Sequence, residues 1–181
     1  MKLAKDLLKR SDWIILDTET TGLDDEAQAV QIGILSPTGE VLLDTLIRPT
    51  IPIPWEASRL HGITDGMVKD APEFISILPK IREITAKKIC VVYNASFDRR
   101  ILHQTAKANG LKMGSMAAWS CVMEAYAQFW GVVKHNAYGR NRYKWQSLSN
   151  ACQQQGIEVK DAHTAIGDCQ LTLALIRKLG Q

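Results

Sequence analysis

The sequence predicts an α/β fold: one domain with a central mixed sheet of five strands, three antiparallel ones first, flanked by helices. Three observations predict it. Apolar runs of strand length open the chain in close succession, with a turn signal between the second and third. A later run, Ile89 to Tyr93, is apolar without alternation, as a strand covered on both faces must be. Apolar residues at helical spacing then fill the second half. A domain takes about 100 to 200 residues. The chain has 181, so a single domain over 1–181 is expected, its core from about 11 to 179.

Taken in order, Met1 to Arg10 is short, charged throughout and lacks the apolar centre of a signal sequence. No stretch approaches the roughly 18 apolar residues of a membrane span, so a cytoplasmic protein with no membrane partner is expected. Trp13 to Leu16 reads as a buried strand running into Asp17-Thr18-Glu19. Ala29 to Leu35 and Val41 to Arg48 bracket the turn Ser36-Pro37-Thr38-Gly39-Glu40 and read as an antiparallel pair. Pro49 to Pro54 is a proline-spaced loop. Pro72 to Ala86 carries Phe74, Ile77, Leu78, Ile81 and Ile84 at helical spacing, with a kink expected at Pro79. The strand Ile89 to Tyr93 leads through a turn at Asn94-Ala95-Ser96 into a helix marked by Phe97, Ile101, Leu102 and Thr105 and ended by Asn109-Gly110. Met116 to Trp119 is the candidate fifth strand. Val122 to Trp130, Trp145 to Gln155 and Ala162 to Leu179 read as helices, the last with Ala162, Ile166, Cys169, Leu173 and Ile176 on one stripe.

The net charge is only +3, which excludes a strongly cationic nucleic-acid coat. Local charge says more. From Ala125 to Ile157 there is no acidic residue, while Lys134, Arg140, Arg142 and Lys144 alternate with Tyr138, Tyr143 and Trp145. Two readings stand: a loop that contacts phosphates and bases, or a solvated connection whose Trp145 plugs the core. The four cysteines are far apart, and three sit in apolar runs. That fits neither a zinc knuckle nor a disulfide framework, and they read as reduced core thiols.

Asp17 and Glu19, two apart on a strand, point to the same face. Paired carboxylates at the end of an apolar strand are costly unless a hard divalent cation neutralises them; the alternative is a polar turn that ends the strand. Asp98 follows a strand end at a helix start, with Ser96 as candidate cap, and the helix dipole favours its ionised form. Asp168 lies in the last helix among Ala165, Ile166, Gly167 and Cys169, where a carboxylate needs a partner. Gly167 is expected to let that helix approach the Asp17 strand. His163 precedes Asp168 by five residues, about 140° around an ideal helix. Both reach one site only if Asp161 and its neighbours form a loop before the helix, with His163 at the mouth.

Asp17-Thr18-Glu19-Thr20-Thr21-Gly22-Leu23, Leu60-His61-Gly62-Ile63-Thr64, Asn94-Ala95-Ser96-Phe97-Asp98 and His163-Thr164-Ala165-Ile166-Gly167-Asp168 resemble the successive blocks of the DEDDh exonucleases. These proofreading-type 3′-to-5′ exonucleases, also termed DnaQ-like, have an RNase H-like fold. The blocks occur in the family's order from residue 13 to about 175, and Asn94 to Arg100 with the following segment Trp119 to Ala127 are similar to the exodeoxyribonuclease X branch and phage relatives. The resemblance implies that Asp17, Glu19 and Asp168 hold a first metal, with Asp17 bridging to a second near Asp98. It implies two Mg²⁺ ions, Mn²⁺ substituting, about 3.5 to 4 Å apart, with His163 as general base and nucleoside 5′-monophosphates as products. It also implies substrate contacts at Thr20, Leu23, Glu56, His61, Asn94 and Phe97. For His61 a capping role before Gly62 stays open, as does plain core packing for Leu23 and Phe97. The implied partner is a nucleic-acid 3′ end, single-stranded or frayed, with DNA favoured over RNA. An exoribonuclease, a proofreading subunit bound to a polymerase or other replication partner, and a non-catalytic nucleic-acid-binding protein are the alternatives. A tethered subunit is expected to carry a tail, and this chain ends at Gln181, just past its last helix.

Overall fold

The computed structural model describes residues 1–114, 118–135, 141–160 and 162–181. In chain order the elements are α1 (Lys2–Leu7), β1 (Trp13–Thr20), β2 (Ala29–Leu35), β3 (Val41–Leu46), α2 (Trp55–His61), α3 (Asp65–Val68), α4 (Phe74–Thr85) and β4 (Ile89–Val92). There follow α5 (Ala95–Ala108), β5 (Ala118–Cys121), α6 (Val122–Trp130), β6 (Val133–His135), β7 (Asn141–Tyr143), α7 (Leu148–Gln154) and α8 (Ala165–Gly180). The main sheet has the order β3-β2-β1-β4-β5. β1, β2 and β3 pair antiparallel, and β4 and β5 extend the sheet in parallel from β1. The expected mixed five-stranded sheet is therefore observed.

Strand alternation explains why the sheet is covered on both faces. Trp13, Ile15 and Val91 point into one apolar layer with α1, α6, α7 and α8; Ile14, Leu16, Cys90 and Val92 point into the other with α4 and α5. At about 25 cal/mol per Å² of apolar surface removed from water, each layer contributes far more than the turns between its elements. Parallel β1, β4 and β5 end on the same side of the sheet, and there the chain leaves apolar strand for Asp17, for the Asn94 turn and for α6.

Several elements differ from the sequence reading. The charged amino-terminal run forms α1, anchored where Trp13 Nε1 donates to the Leu7 carbonyl at 2.9 Å. After the proline-spaced loop the chain forms α2 and α3. β5 covers Ala118–Cys121, later than Met116 to Trp119; Met116 and Ala117 lie outside the described residues, as do Tyr138, Arg140 and Asp161. Lys134 and Arg142 sit in a β6–β7 hairpin, not in a plain loop. Trp145 is 60% exposed and does not plug the core. α7 begins at Leu148, capped by Ser147, and α8 begins at Ala165. α5 starts at Ala95 with Asn94 in the capping position, so Ser96 is not its cap; the Ser96 hydroxyl donates to Asn94 Oδ1 at 3.0 Å. Cys90, Cys152 and Cys169 are buried, Cys121 is half-buried, and all four are free. No helix among the described residues is long and apolar enough to cross a membrane.

Candidate active site

β1 carries Asp17 and Glu19 on the face covered by α8, and α8 presents Asp168 from its first turn. Carboxylate oxygens of the three lie within 4.8 Å of one another. The start of α8 is fixed by several bonds. Thr164 caps it by accepting from the Gly167 N–H at 3.1 Å, and Gln31 Oε1 of β2 accepts from the Ala165 N–H at 3.2 Å. The close approach of helix to sheet is made at Gly33 of β2, the register partner of Asp17. A Cβ there would stand 2.7 Å from the Ala165 carbonyl carbon and 2.8 Å from the Ile166 nitrogen.

Asp98, buried in the first turn of α5, enters from the other face of β1. Its Oδ1 accepts from the Thr18 N–H at 3.0 Å and from the Thr18 hydroxyl at 2.8 Å. Thr18 lies between Asp17 and Glu19 and so points away from them, and through it Asp98 is tied to the strand that carries the other two acids. His163 lies ahead of α8, exposed and with φ +68°, a left-handed conformation that histidine tolerates better than most residues. Its N–H donates to Asp168 Oδ1 at 3.3 Å. The geometric conflict on an ideal helix is thus resolved as expected, with His163 outside the helix and Asp168 within it.

The electrostatics are those of an uncompensated acidic cluster. Burial, then the charges of Asp168 and Asp98, push Glu19 up to about 8. Burial together with the Asp98, Asp168 and Glu19 charges raises Asp17 well above the usual carboxylate range. Burial also raises Asp98, to about 7, against the lowering effect of the Thr18 bonds and of its own backbone hydrogen bond. Asp168 is raised by burial and held down in part by the His163 N–H. Among the described residues no cationic side chain forms an ion pair with any of the four. An all-oxygen set with this unmet charge fits hard divalent cations.

The other candidate residues are more scattered. Leu23 is 78% exposed, so core packing does not account for it. Its loop is clamped by Arg100, which donates to the Leu23 carbonyl at 3.1 Å and the Asp24 carbonyl at 2.8 Å, and by Gln104, which donates to the Asp24 carbonyl at 3.0 Å. Phe97 is half-buried against the α4–α5 layer, its ring 5.4 Å from the Arg100 guanidinium carbon. Glu56 is exposed near the start of α2, whereas His61, at its end, is buried. His61 Nδ1 accepts from the Ile63 N–H at 3.0 Å, which leaves Nε2–H to donate to the Thr20 carbonyl at 3.1 Å. Nδ1 therefore serves the turn that Gly62 makes at φ +75°, while Nε2 ties that turn to the end of β1. The Thr20 hydroxyl donates to the Gly22 carbonyl at 2.8 Å, and Asn94 sits at the head of α5, half-buried. The sequence reading assigned no individual role to Thr18, Gln31, Gly33 or Arg100; Thr18 and Gln31 are polar residues inside largely apolar strands, but neither position identifies its partner.

The exonuclease family model, RNase_T, matches residues 14–176. The chain belongs to this exonuclease family. Exonuclease CP81 of Escherichia phage 186 is 39% identical over 177 residues, covering 94% of this chain and 89% of the phage protein. Exodeoxyribonuclease 10 of Escherichia coli (strain K12) is 30% identical over 165 residues, 90% of this chain and 66% of that enzyme's length. The structure of Exonuclease X in complex with 5′ overhanging duplex DNA superposes with a TM-score of 0.68 at 28% identity, over 92% of this chain and 90% of that one. The sheet order, with three antiparallel strands followed by parallel additions, is that of the RNase H-like exonuclease fold. The acidic cluster is thus the candidate active site of a nuclease.

Proposed function

We propose that this chain is a metal-dependent 3′-to-5′ exonuclease that hydrolyses phosphodiester bonds at single-stranded or frayed DNA ends and releases nucleoside 5′-monophosphates. The observation that carries the reading is the meeting of Asp17, Glu19 and Asp168 within 4.8 Å, with no ion pair to them among the described residues. Asp17, Glu19 and Asp168 would hold one divalent cation and Asp98 would help hold a second, Mg²⁺ by choice with Mn²⁺ able to substitute. When bound, such a pair stabilises the attacking and departing oxygens of an in-line displacement.

The chain's own groups do the rest. His163 takes the proton of the attacking water, as an imidazole nitrogen can, and its backbone N–H bond to Asp168 Oδ1 keeps it beside the cluster. Thr18 holds Asp98 with two hydrogen bonds, so its carboxylate is positioned before substrate arrives. Exposed Leu23, on its clamped loop, packs against the terminal base, with Phe97 and Asn94 nearby and Glu56 toward the sugar. His61 acts through Thr20, holding that backbone in place rather than reaching substrate.

DNA is favoured over RNA because the structural neighbour at 28% identity was solved on DNA. The test is incubation of the purified protein with 3′-labelled and 5′-labelled DNA and RNA oligonucleotides, with Mg²⁺ and with chelator. Immediate release of label as mononucleotide from 3′-labelled DNA, abolished by chelation, is expected. Mononucleotide release from the 5′ end, or activity indifferent to chelator, overturns the proposal; faster digestion of RNA replaces the substrate assignment.

A further inference from the structure

We propose that the groove between α6 and the β6–β7 hairpin is a track for a single-stranded stretch of DNA leading away from the acidic cluster, an inference that rests on the function just proposed. The groove encloses about 780 Å³, and its charged and aromatic lining is Lys134, Arg142, Lys144, Tyr143, Trp145 and Glu124. Three cations therefore face one anion. The first three are exposed, and among the described residues none of them forms an ion pair.

The hairpin's register sharpens the point. Lys134 pairs directly with Arg142 across the antiparallel ladder, and like charges in that position destabilise it. A two-stranded hairpin is marginal to begin with. A polyanion laid along this face removes the repulsion and supplies what the hairpin lacks. Tyr143 and Trp145, 48% and 60% exposed, stand among the cations as surfaces on which bases stack. Exposed aromatic rings cost free energy in water, and stacking recovers it.

Both walls of the groove are tied to the acidic end of the sheet. At the start of α6 the Met123 N–H donates to the Tyr93 carbonyl at 2.8 Å. On the other wall, one residue past Trp145, the Gln146 carbonyl accepts from the Tyr93 hydroxyl at 2.9 Å. Tyr93 immediately precedes the Asn94 turn that delivers Asp98. A strand with its terminus at the carboxylates thus has a cationic, aromatic path open to it along one side.

The experiment measures anisotropy of fluorescent dT12 with metal-free protein, so that nothing is cleaved. Wild type is compared with K134Q/R142Q/K144Q and, separately, W145A, with thermal melts to verify folding. Loss of three phosphate contacts, at about 0.7 each for a single strand, flattens the slope of log affinity against log salt by about 2. Trp145→Ala weakens binding by about 5- to 100-fold, as expected for one lost stacking partner. An unchanged salt slope in the folded triple variant, or dT12 affinity equal to wild type in W145A, overturns the inference. Displacement of dT12 by polyglutamate together with indifference to Trp145→Ala also overturns it, in favour of an acidic polypeptide. The parent function is read separately, by mononucleotide release from wild type with Mg²⁺: an unaltered salt slope beside normal release removes the track alone, while normal track binding without release removes the parent function.

Discussion

Single side chains divide here into those that bear charge and those that place it. Asp17 and Asp168 each add a negative charge to a half-buried cluster, and each is raised above the usual carboxylate range by burial and by its neighbours. Asp17→Asn and Asp168→Asn are therefore expected to lower hydrolysis by at least about 10³-fold, yet to leave the metal-free melting temperature at pH 8 unchanged or a few degrees higher. About 1 kcal/mol of relieved repulsion corresponds to roughly 2 to 4 °C in a chain of this size. Release of 3′ label and thermal melting measure the two effects; a variant with near-normal turnover excludes the assigned role. Asp17, Glu19, Asp98 and Asp168 stood out in the sequence as carboxylates in or beside apolar runs, and the motif blocks added His163. The residues that place them were not. Thr18, Gln31 and Gly33 are uncharged, and their partners Asp98 and Ala165 lie far along the chain, so nothing local announces the contact.

Among the elements, the docking of α8 on β2 determines whether the site exists. The sequence pointed to Gly167 on the helix for this approach; on the strand side a tight contact falls at Gly33. Gly33→Ala places a methyl 2.7 Å from the Ala165 carbonyl carbon, a backbone atom that yields only if the helix moves. A cost of about 1 to 3 kcal/mol is expected, as for other overpacked interiors. Displacing Asp168 by even about 1 Å is expected to lower turnover by about 100-fold. Chemical denaturation and steady-state assays test this; a G33A protein with wild-type stability and turnover refutes the docking argument. β1, β2 and β3 were readable because their apolar runs and the Ser36–Glu40 turn are local signals. α1, α2 and the β6–β7 hairpin were not, because each is too short to establish a period and draws its stability from tertiary contacts such as Trp13 with Leu7.

At the scale of the whole molecule, the raised carboxylates couple stability to pH and to metal. Glu19 titrates at about 8 and Asp98 at about 7 in the folded chain, far above the values of about 4 expected when unfolded. The folded, metal-free chain thus retains protons that the unfolded chain has released. This contribution to stability is fully present below about pH 4 and is lost as pH rises through 7 to 8. The melting temperature in chelator is expected to fall between pH 5 and 8.5, and Mg²⁺ to raise it more at pH 8 than at pH 5, since cations bind the ionised cluster. A flat profile in chelator is incompatible with the buried acidic cluster. The mixed character of the sheet was legible, but the order β3-β2-β1-β4-β5 was legible only in its antiparallel part. Parallel pairing of β4 beside β1 is made through a long crossover and leaves no mark on adjacent residues.

The acidic cluster joins the first strand to the last helix, two segments from opposite ends of the chain that here meet through like charges. Cations bound there as proposed would turn that junction into a detachable staple that closes nearly the whole polypeptide into one loop. Occupancy by substrate-bound cations would then govern how readily the C-terminal helix lifts from the sheet, making the catalytic state also the most tightly fastened state of the fold.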